Sequence, residues 1–439
     1  MESQFTKENV IDALDKLSKG SDRSADRFLR SFQNSVTAWD VAEEILSDFS
    51  HQPMHIQTFA AISLSKKIQY DICLLTMYDS DVLRGRLVNH LLNAAKIPGS
   101  NTLIVQLAKC LSILVLMNPH WLEELGAFVQ LMSGEPDYIM ALLEVLRVLP
   151  EEANAPNFRP AEVVLEHLRR TSSYILKVVE EIHERMERSK GFANKCLAVC
   201  GSWTSNGFLS PDRVLDSFLF PWSFAVLSTP IAEGHFESAE LMVALLEQCL
   251  VHKNPDKLLF TMLISLKPAF ERSMGDSEKL QNYCHIFVNL FETHYLLTKR
   301  DALKIQERLE IIELLLLIAT HCPILVIETS MRTWCLFSAD LFDQSNSELN
   351  TLYRPYFVQL IKILFSRARI QANNEGKILP SPMNRFRSLL AELLADVAHL
   401  IEHETIRELN AIATNEQSHW SDVEMAIFFL KHLKNLENL

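Results

Sequence analysis

The sequence predicts an all-α fold, built as a solenoid of stacked antiparallel helix pairs. Only 11 of the 439 residues are glycine, and one amphipathic helical segment follows another along the whole chain. The pairs recur at intervals of about 40–45 residues, which is the period of HEAT repeats. No segment long enough to form a strand alternates apolar and polar residues with a period of two, so no strand is predicted.

The helices follow from apolar residues at helical spacing and from their caps. Residues 19–22 end the first helix and cap the second, and proline recurs at first helical positions, where its missing N–H costs nothing. The predicted helices cover residues 6–18, 25–35, 37–46, 53–70, 79–95, 101–117, 119–132, 136–149, 160–170, 173–188, 190–204, 237–252, 255–273, 276–297, 302–321, 323–342, 348–371, 385–401, 404–414 and 421–436. This amounts to about ten helix pairs in a superhelical arc.

The regular pattern is interrupted in three places. Phe220-Pro221-Trp222 interrupts a helix, and residues 228–230 form a loop. Residues 373–384, with one glycine and two prolines, are the one long loop. The final helix is as apolar as an interior one, whereas a terminal repeat needs a polar outer face. We therefore expect the solenoid to be truncated at its carboxyl end.

Charge and composition limit the classes of function. The net charge of −13 and the pI near 5.6 argue against direct nucleic-acid binding and favour basic or neutral protein partners. The eight cysteines include no CxxC pair, which predicts reduced core thiols in a cytosolic or nuclear protein. The amino terminus lacks the apolar region of a signal peptide. The two longest apolar runs are short or broken by charge and proline, so no membrane span is predicted.

The motifs that resemble catalytic or metal sites are weak. His399-Leu-Ile-Glu402-His403 has the spacing of a zinc-hydrolase motif, but a solenoid helix offers no water-excluding cleft, and a solvated helix edge is the preferred interpretation. Cys196 and Cys200 share a helical face without a second pair, which favours packing. No glycine-rich phosphate loop is present. The sequence predicts no enzyme, no catalytic residue, no cofactor and no metal.

Several segments together resemble the importin-β superfamily of nuclear transport receptors. Residues 28–39 (FLRSFQNSVTAW) and 59–69 are similar to its amino-terminal repeats. The transportin-SR and importin thirteen branch is resembled by residues 142–152 (LLEVLRVLPEE), by Cys200-Gly-Ser-Trp203 and by residues 282–287. Late in the chain, Phe386-Arg387 and the residues up to Ile401 continue the similarity. The resemblance extends from about residue 27 to the end.

This resemblance implies a receptor that shuttles between cytoplasm and nucleus. Its implied partners are Ran·GTP, which triggers cargo release, Phe-Gly nucleoporins, and Arg/Ser-rich protein cargo of the splicing-factor type. By the resemblance, Ran contacts helices at 25–35, 53–70 and 101–117. The implied Ran-binding residues are Phe28, Gln33, Asn34, Trp39, Phe59, Lys66 and Lys67.

The resemblance also implies a division of the chain and a missing half. Residues 1–100 are expected to be Ran-binding repeats, residues 101–252 exportin- or importin-like HEAT repeats, and residues 253–439 further HEAT repeats. Family members are about twice this length, so the chain is a fragment, a truncated isoform or an incomplete gene model. It is expected to bind Ran but to be deficient in cargo binding. The alternative is a generic HEAT-repeat scaffold for protein complexes.

Overall fold

Regular structure is helical throughout the part of the chain that the structure describes. The computed structural model describes residues 5–20, 22–48, 51–72, 76–156, 159–186, 191–229, 233–251, 256–299, 301–344, 346–369, 381–400 and 403–434. Within these ranges there are 22 α-helices and no strand. The chain divides into two compact units, Met1–Phe220 and Pro221–Leu439. The prediction of an all-α fold is confirmed.

The first unit contains twelve complete α-helices among its described residues. They are α1 (Lys7–Lys19), α2 (Arg23–Gln33), α3 (Ala38–Ser47), α4 (Met54–Asp71), α5 (Met77–Ala95), α6 (Asn101–Met117), α7 (Pro119–Glu123), α8 (Leu125–Met132), α9 (Pro136–Ala153), α10 (Glu162–Met186), α11 (Phe192–Ser205) and α12 (Pro211–Leu215).

The helices of the second unit follow in the same manner. They are α13 (Leu219–Ser228), which begins two residues before the boundary, α14 (His235–Cys249), α15 (Asp256–Arg272), α16 (Ser277–Thr298), α17 (Ile305–His321), α18 (Ile324–Gln344), α19 (Ser347–Arg367), α20 (Ser381–Val397), α21 (His403–Thr414) and α22 (Trp420–Lys434).

Each unit is organised around one continuous row of helices. In the first unit α2, α4, α6, α9 and α11 pack in succession, and in the second α14, α16, α18, α20 and α22 do the same. The remaining helices flank these rows, as α3 packs on α4, α5 on α6 and α10 on α11. Short connections make consecutive helices antiparallel neighbours. Apolar side chains are buried on both sides of the row helices, such as Leu107, Leu142 and Phe287, each 0% exposed.

Side-chain caps explain where many helices begin. The Asp22 carboxylate accepts hydrogen bonds from the backbone N–H groups of Ser24 and Ala25, as the residues between the first two helices predicted. Thr76 and Asp79 form a reciprocal capping box at the start of α5. After α11, Gly207 adopts a φ of 75°, a left-handed conformation that glycine tolerates best and that ends the helix.

The structure corrects four expectations about individual elements. Residues 160–170 and 173–188 are not separate helices, because α10 runs unbroken from Glu162 to Met186; the Thr171 and Ser172 hydroxyls bond back to carbonyls of the preceding turn and leave the helix intact. Residues 119–132 form two helices, so that Trp121 on α7 reaches Asp81 on α5.

The other two corrections concern proline and the long loop. Pro221 lies in the first turn of α13 and interrupts no helix, because its missing N–H has no intrahelical partner at that position. The predicted loop at 373–384 ends earlier than expected, since α20 already begins at Ser381. The rest of that loop falls outside the described residues.

Candidate partner-binding surface

The seven residues implied in Ran binding all lie on the first helices of the chain. Phe28 and Gln33 lie on α2, Asn34 caps its carboxyl end, and Trp39 lies on α3. Phe59, Lys66 and Lys67 lie on α4. Because α2, α4 and α6 pack in succession, the three helices expected to contact Ran are neighbours in one row.

Gln33 and Lys66 form a polar junction between α2 and α4. The Gln33 Nε2 donates to Ser63 Oγ at 3.2 Å, and Lys66 Nζ donates to Gln33 Oε1 at 2.6 Å. Gln33 is 7% exposed, whereas Lys66 is exposed to solvent. Both polar atoms of the buried amide are thus hydrogen-bonded, and the exposed lysine is held by one of these bonds.

Phe28 and Phe59 belong to an aromatic cluster around Phe32. The ring of Phe5 lies 5.2 Å from that of Phe28 and 6.0 Å from that of Phe32, and Phe32 stacks on Phe59 at 6.2 Å. Phe32 is fully buried, and Phe28 and Phe59 are half-buried. Their main structural contribution is to hold α2 against α4.

Lys67 is placed differently from its neighbour Lys66. It is only 2% exposed, its ammonium donates to the Asp71 carboxylate one turn later, and it lies 6.0 Å from the centre of the Trp39 ring. An ammonium at that distance is attracted to the aromatic face. Of the seven predicted residues, Asn34 and Lys66 are the exposed ones, and Lys67 is committed to internal contacts.

The same row continues into an ion network that sequence reasoning did not single out. Glu144 on α9 is 1% exposed and accepts hydrogen bonds from Arg147 and from Lys195 on α11. Burial raises the pKa of Glu144, but the two cations outweigh it and leave that pKa below its ordinary value. The spacing of Glu144, Arg147 and Glu151 at i, i+3 and i+7 is the signal that predicts such a chain of ion pairs.

A cavity of about 440 Å³ opens between α5, α6, α8 and α9. Its inner wall is apolar, with Leu111, Val115, Leu125, Val145 and Leu149 among the lining side chains. At its mouth, Arg84 lies 4.9 Å from the centre of the Trp121 ring. The same guanidinium donates to Glu124 at 2.6 Å, and the Trp121 indole donates to Asp81 at 2.9 Å. Such a cavity suits an apolar side chain from a partner.

The residues considered as metal ligands give no support to a metal site. Cys196 and Cys200 are buried in α11, and burial raises the pKa of Cys196 to about 12, so the thiol stays protonated. The side chains of His399 and His403, and the whole of Glu402, fall outside the described residues. No group of three or more potential metal-binding side chains occurs in the described part of the chain. None of the helices described combines the length and apolar character needed to cross a membrane.

Comparisons with known proteins find similarity to importins, transportins and exportins. The family described as "Transportin-3/Importin-13 second TPR domain" matches residues 275–366, and the family "Exportin 1-like protein" matches residues 100–235. Importin-13 of Bos taurus is 23% identical over 84% of this chain. The chain belongs to the importin-β superfamily. Within it, these matches identify the importin-13 and transportin-3 branch.

Further relatives agree with this placement in the importin-β superfamily. Transportin MOS14 of Arabidopsis thaliana is 21% identical over 94% of this chain and 46% of its own length. The mRNA transport regulator MTR10 of Saccharomyces cerevisiae is 30% identical over 29% of this chain and 12% of its own. The matched part of importin-13 is likewise 40% of that protein. The chain spans about half or less of the length of these relatives.

A solved structure shows the same fold. "Importin13 cytosolic state" aligns with a TM-score of 0.65 and 15% identity over 86% of this chain and 46% of that one. At this identity the match concerns the fold alone, and it confirms the predicted HEAT-type helical solenoid. Importin-β family transport receptors are not enzymes, in agreement with the absence of catalytic motifs from the sequence.

Proposed function

We propose that this chain forms part of a nuclear transport receptor, one that carries protein cargo through the nuclear pore and releases it when Ran·GTP binds. The observation that carries the proposal is the match to importin-13 along 84% of the chain. A shuttling receptor divides its time between cytoplasm and nucleus, so both compartments are its proposed location.

The proposed Ran·GTP surface is the row of α2, α4 and α6, within residues 1–100 and the helix that follows. Asn34 and Lys66 are the exposed residues among the seven implied. Gln33 fixes Lys66, and the Phe32 cluster holds the two helices together. Phe28, Trp39, Phe59 and Lys67 therefore act as supports for this surface. The later segments, 101–252 and 253–439, serve as further HEAT repeats.

The experiment that tests this proposal compares the two nucleotide states of Ran. Isothermal titration of the 439-residue chain with Ran bound to a non-hydrolysable GTP analogue, and separately with Ran·GDP, is expected to show tighter binding of the GTP form. Equal affinity for both forms would contradict the proposal and favour a generic HEAT scaffold, which has no reason to sense the nucleotide of Ran.

Phe-Gly nucleoporins are the proposed partners of the cavity between α5, α6, α8 and α9. Its apolar wall and its volume of about 440 Å³ suit phenylalanine side chains, which bury large apolar area at little conformational cost. Phe128 and the exposed Leu131 line the cavity and extend the apolar surface outward.

Arg/Ser-rich cargo is the proposed cargo class of the whole receptor. The resemblance to the transportin-SR branch implies that an arginine-rich helix of the carboxy-terminal repeats binds such cargo, and the relatives extend well beyond the stretch that aligns with this chain. We therefore expect this chain to bind phosphorylated Arg/Ser peptides only weakly. Calorimetry that yields a sub-micromolar dissociation constant for such a peptide would contradict this expectation.

A further inference from the structure

A second, smaller cavity lies between α3 and α5 and differs in chemistry from the apolar one. Its volume is about 190 Å³, less than a drug-sized ligand requires and enough for a single long side chain. Trp39, Asp40 and Glu43 of α3 line one side, and Asp79 and Arg86 of α5 line the other. Three carboxylates therefore share the cavity with one guanidinium and one indole ring.

Glu43 is the residue that makes this cavity a candidate binding site. It is 9% exposed, and its Oε1 has no hydrogen-bond partner among the described residues. Its Oε2 lies 3.4 Å from Nε2 of His90 and 3.8 Å from a guanidinium nitrogen of Arg86. A buried carboxylate oxygen without a donor destabilises the folded chain, so a donor supplied from outside is favoured.

Arg86 places a guanidinium, a suitable donor for Glu43, beside the cavity, but it does not form a hydrogen bond with Glu43. At 3.8 Å its contact with Glu43 is too long for a hydrogen bond, and its side chain is 59% exposed. The guanidinium stays at the solvent edge. Arg86 therefore leaves Oε1 of Glu43 without a hydrogen bond.

The Trp39 ring adds a preference for a planar cation. Its ring already attracts the Lys67 ammonium at 6.0 Å, and it lines the cavity beside the carboxylates. A guanidinium stacks on aromatic rings and forms paired hydrogen bonds with a carboxylate, which an ammonium does not. Asp40 and Asp79 are exposed at the entrance and add negative potential that attracts a basic segment.

We propose that the cavity between α3 and α5 binds an arginine side chain of a basic protein segment. Glu43 accepts the hydrogen bonds of the guanidinium, Trp39 stacks on its plane, and Asp40 and Asp79 attract the segment to the entrance. The site lies on flanking helices of the first unit, shares Trp39 with the supports of the proposed Ran surface and has no lining residue in common with the proposed Phe-Gly cavity.

The test uses a pair of peptides that differ only in charge. The probe is a fluorescein-labelled octapeptide with three arginines separated by glycines, and its control carries citrulline, which has the same shape without the charge. Anisotropy is measured with the whole chain and without Ran, in 150 mM salt to screen distant charges. We expect saturable binding of the arginine peptide and binding of the citrulline peptide that is weaker by about tenfold or more.

Two matched variants locate the site. Glu43→Gln removes the buried carboxylate, while Glu44→Gln makes the same charge change at the neighbouring position, where the side chain is 60% exposed. We expect Glu43→Gln to weaken the arginine peptide about tenfold and Glu44→Gln less than about twofold. Equal losses in both variants, or no discrimination between the peptides, would overturn the proposal.

A third variant covers the case in which Glu43→Gln fails to fold. Asp40→Asn alters an exposed carboxylate of the same cavity and is expected to weaken the arginine peptide about threefold, with an unchanged circular dichroism spectrum. Unchanged affinity in this variant would count against the site. Because Ran is absent, these results are independent of the test of the proposed transport function.

Discussion

The ammonium of Lys66 on α4 donates a 2.6 Å hydrogen bond to the side-chain carbonyl of Gln33 on α2. The Gln33 amide in turn donates to Ser63, so one buried side chain joins two helices and fixes an exposed charge. An exposed lysine normally loses considerable side-chain entropy when a partner orders it. Here part of that loss has occurred before binding, which makes Lys66 suited to contact a partner.

Reversal of the charge at position 66 is expected to weaken Ran·GTP binding. Lys66→Glu replaces a fixed positive charge by a negative one, and we expect a loss of about tenfold or more in affinity, as for a close charge pair at an interface. The control is Lys177→Glu, at an exposed position on α10, which makes the same charge change away from the row. Titration calorimetry with Ran·GTP measures both. Equal losses in the two variants would place Ran elsewhere.

The adjacent residues Lys66 and Lys67 show which part of this surface could be predicted from the sequence. Lys66 and Lys67 were both predicted to contact Ran, but Lys67 is 2% exposed. Its position was foreseeable, because Ala60, Leu64 and Lys67 follow the i, i+4, i+7 stripe that α4 buries. Asp71, four residues later, is the partner that such a buried lysine needs.

Sequence patterns predicted the limits of α6 but not the two cavities. The limits of α6, predicted at 101–117, agree with the structure, because a sharp change in apolar content and proline at position 119 mark them. The two cavities depend on the spacing between helices that are distant in sequence, such as α3 and α5. Local periodicity does not determine the distance between such helices. It also does not predict that Oε1 of Glu43 lacks a hydrogen-bond donor.

The buried arginine of α17 is expected to be essential to the second unit. Arg308 is 1% exposed and donates to the carbonyls of Thr298 and Asp301 and to the Tyr353 hydroxyl. Arg308→Met removes three hydrogen bonds from a buried charged group, and we expect a loss of about 3–5 kcal/mol in the free energy of unfolding. Urea denaturation measures it, with the exposed Arg332→Met as the control. Similar midpoints for the two variants would refute this prediction.

The stability of the second unit is expected to depend on pH through His235. This side chain is 1% exposed, and burial, followed by the nearby charge of Lys279, lowers its pKa to about 4. The unfolded chain takes up the proton near pH 6.5, whereas the folded chain does so only near pH 4. Stability is therefore complete above pH 6.5 and falls by up to about 3 kcal/mol as the pH decreases to 4.

The pH prediction is checked by comparing the free energy of unfolding of the wild type with that of a variant that lacks His235. His235→Gln removes the titrating group, so its free energy of unfolding is expected to change less between pH 6.5 and 4 than that of the wild type. His285→Gln is the control, because a hydrogen bond to Glu240 raises the pKa of His285 and gives it the opposite dependence. A wild-type slope that persists in His235→Gln would show that other groups cause the loss.

Gly85 is a position where the chain tolerates a better helix former. It lies inside α5, and an added Cβ meets no atom within 4 Å. Gly85→Ala is expected to stabilise the helix by about 0.5–1 kcal/mol, which slows amide exchange in α5 up to about fivefold. Gly99→Ala is the control, since its space is equally open but its φ of 82° strains an alanine. Faster exchange in Gly85→Ala would contradict the prediction.

A charge on the apolar wall is expected to weaken the proposed nucleoporin contact. Leu131 lines the cavity between α5, α6, α8 and α9 and is 56% exposed, so Leu131→Glu changes the surface with little effect on the core. Because a carboxylate beside an inserted phenylalanine ring loses its hydration, Phe-Gly peptide affinity is expected to fall about tenfold. Val163→Glu on α10, at a side chain 62% exposed, is the matched control. Surface plasmon resonance with an immobilised Phe-Gly repeat compares them, and if only Val163→Glu weakens binding, the contact lies on α10 instead.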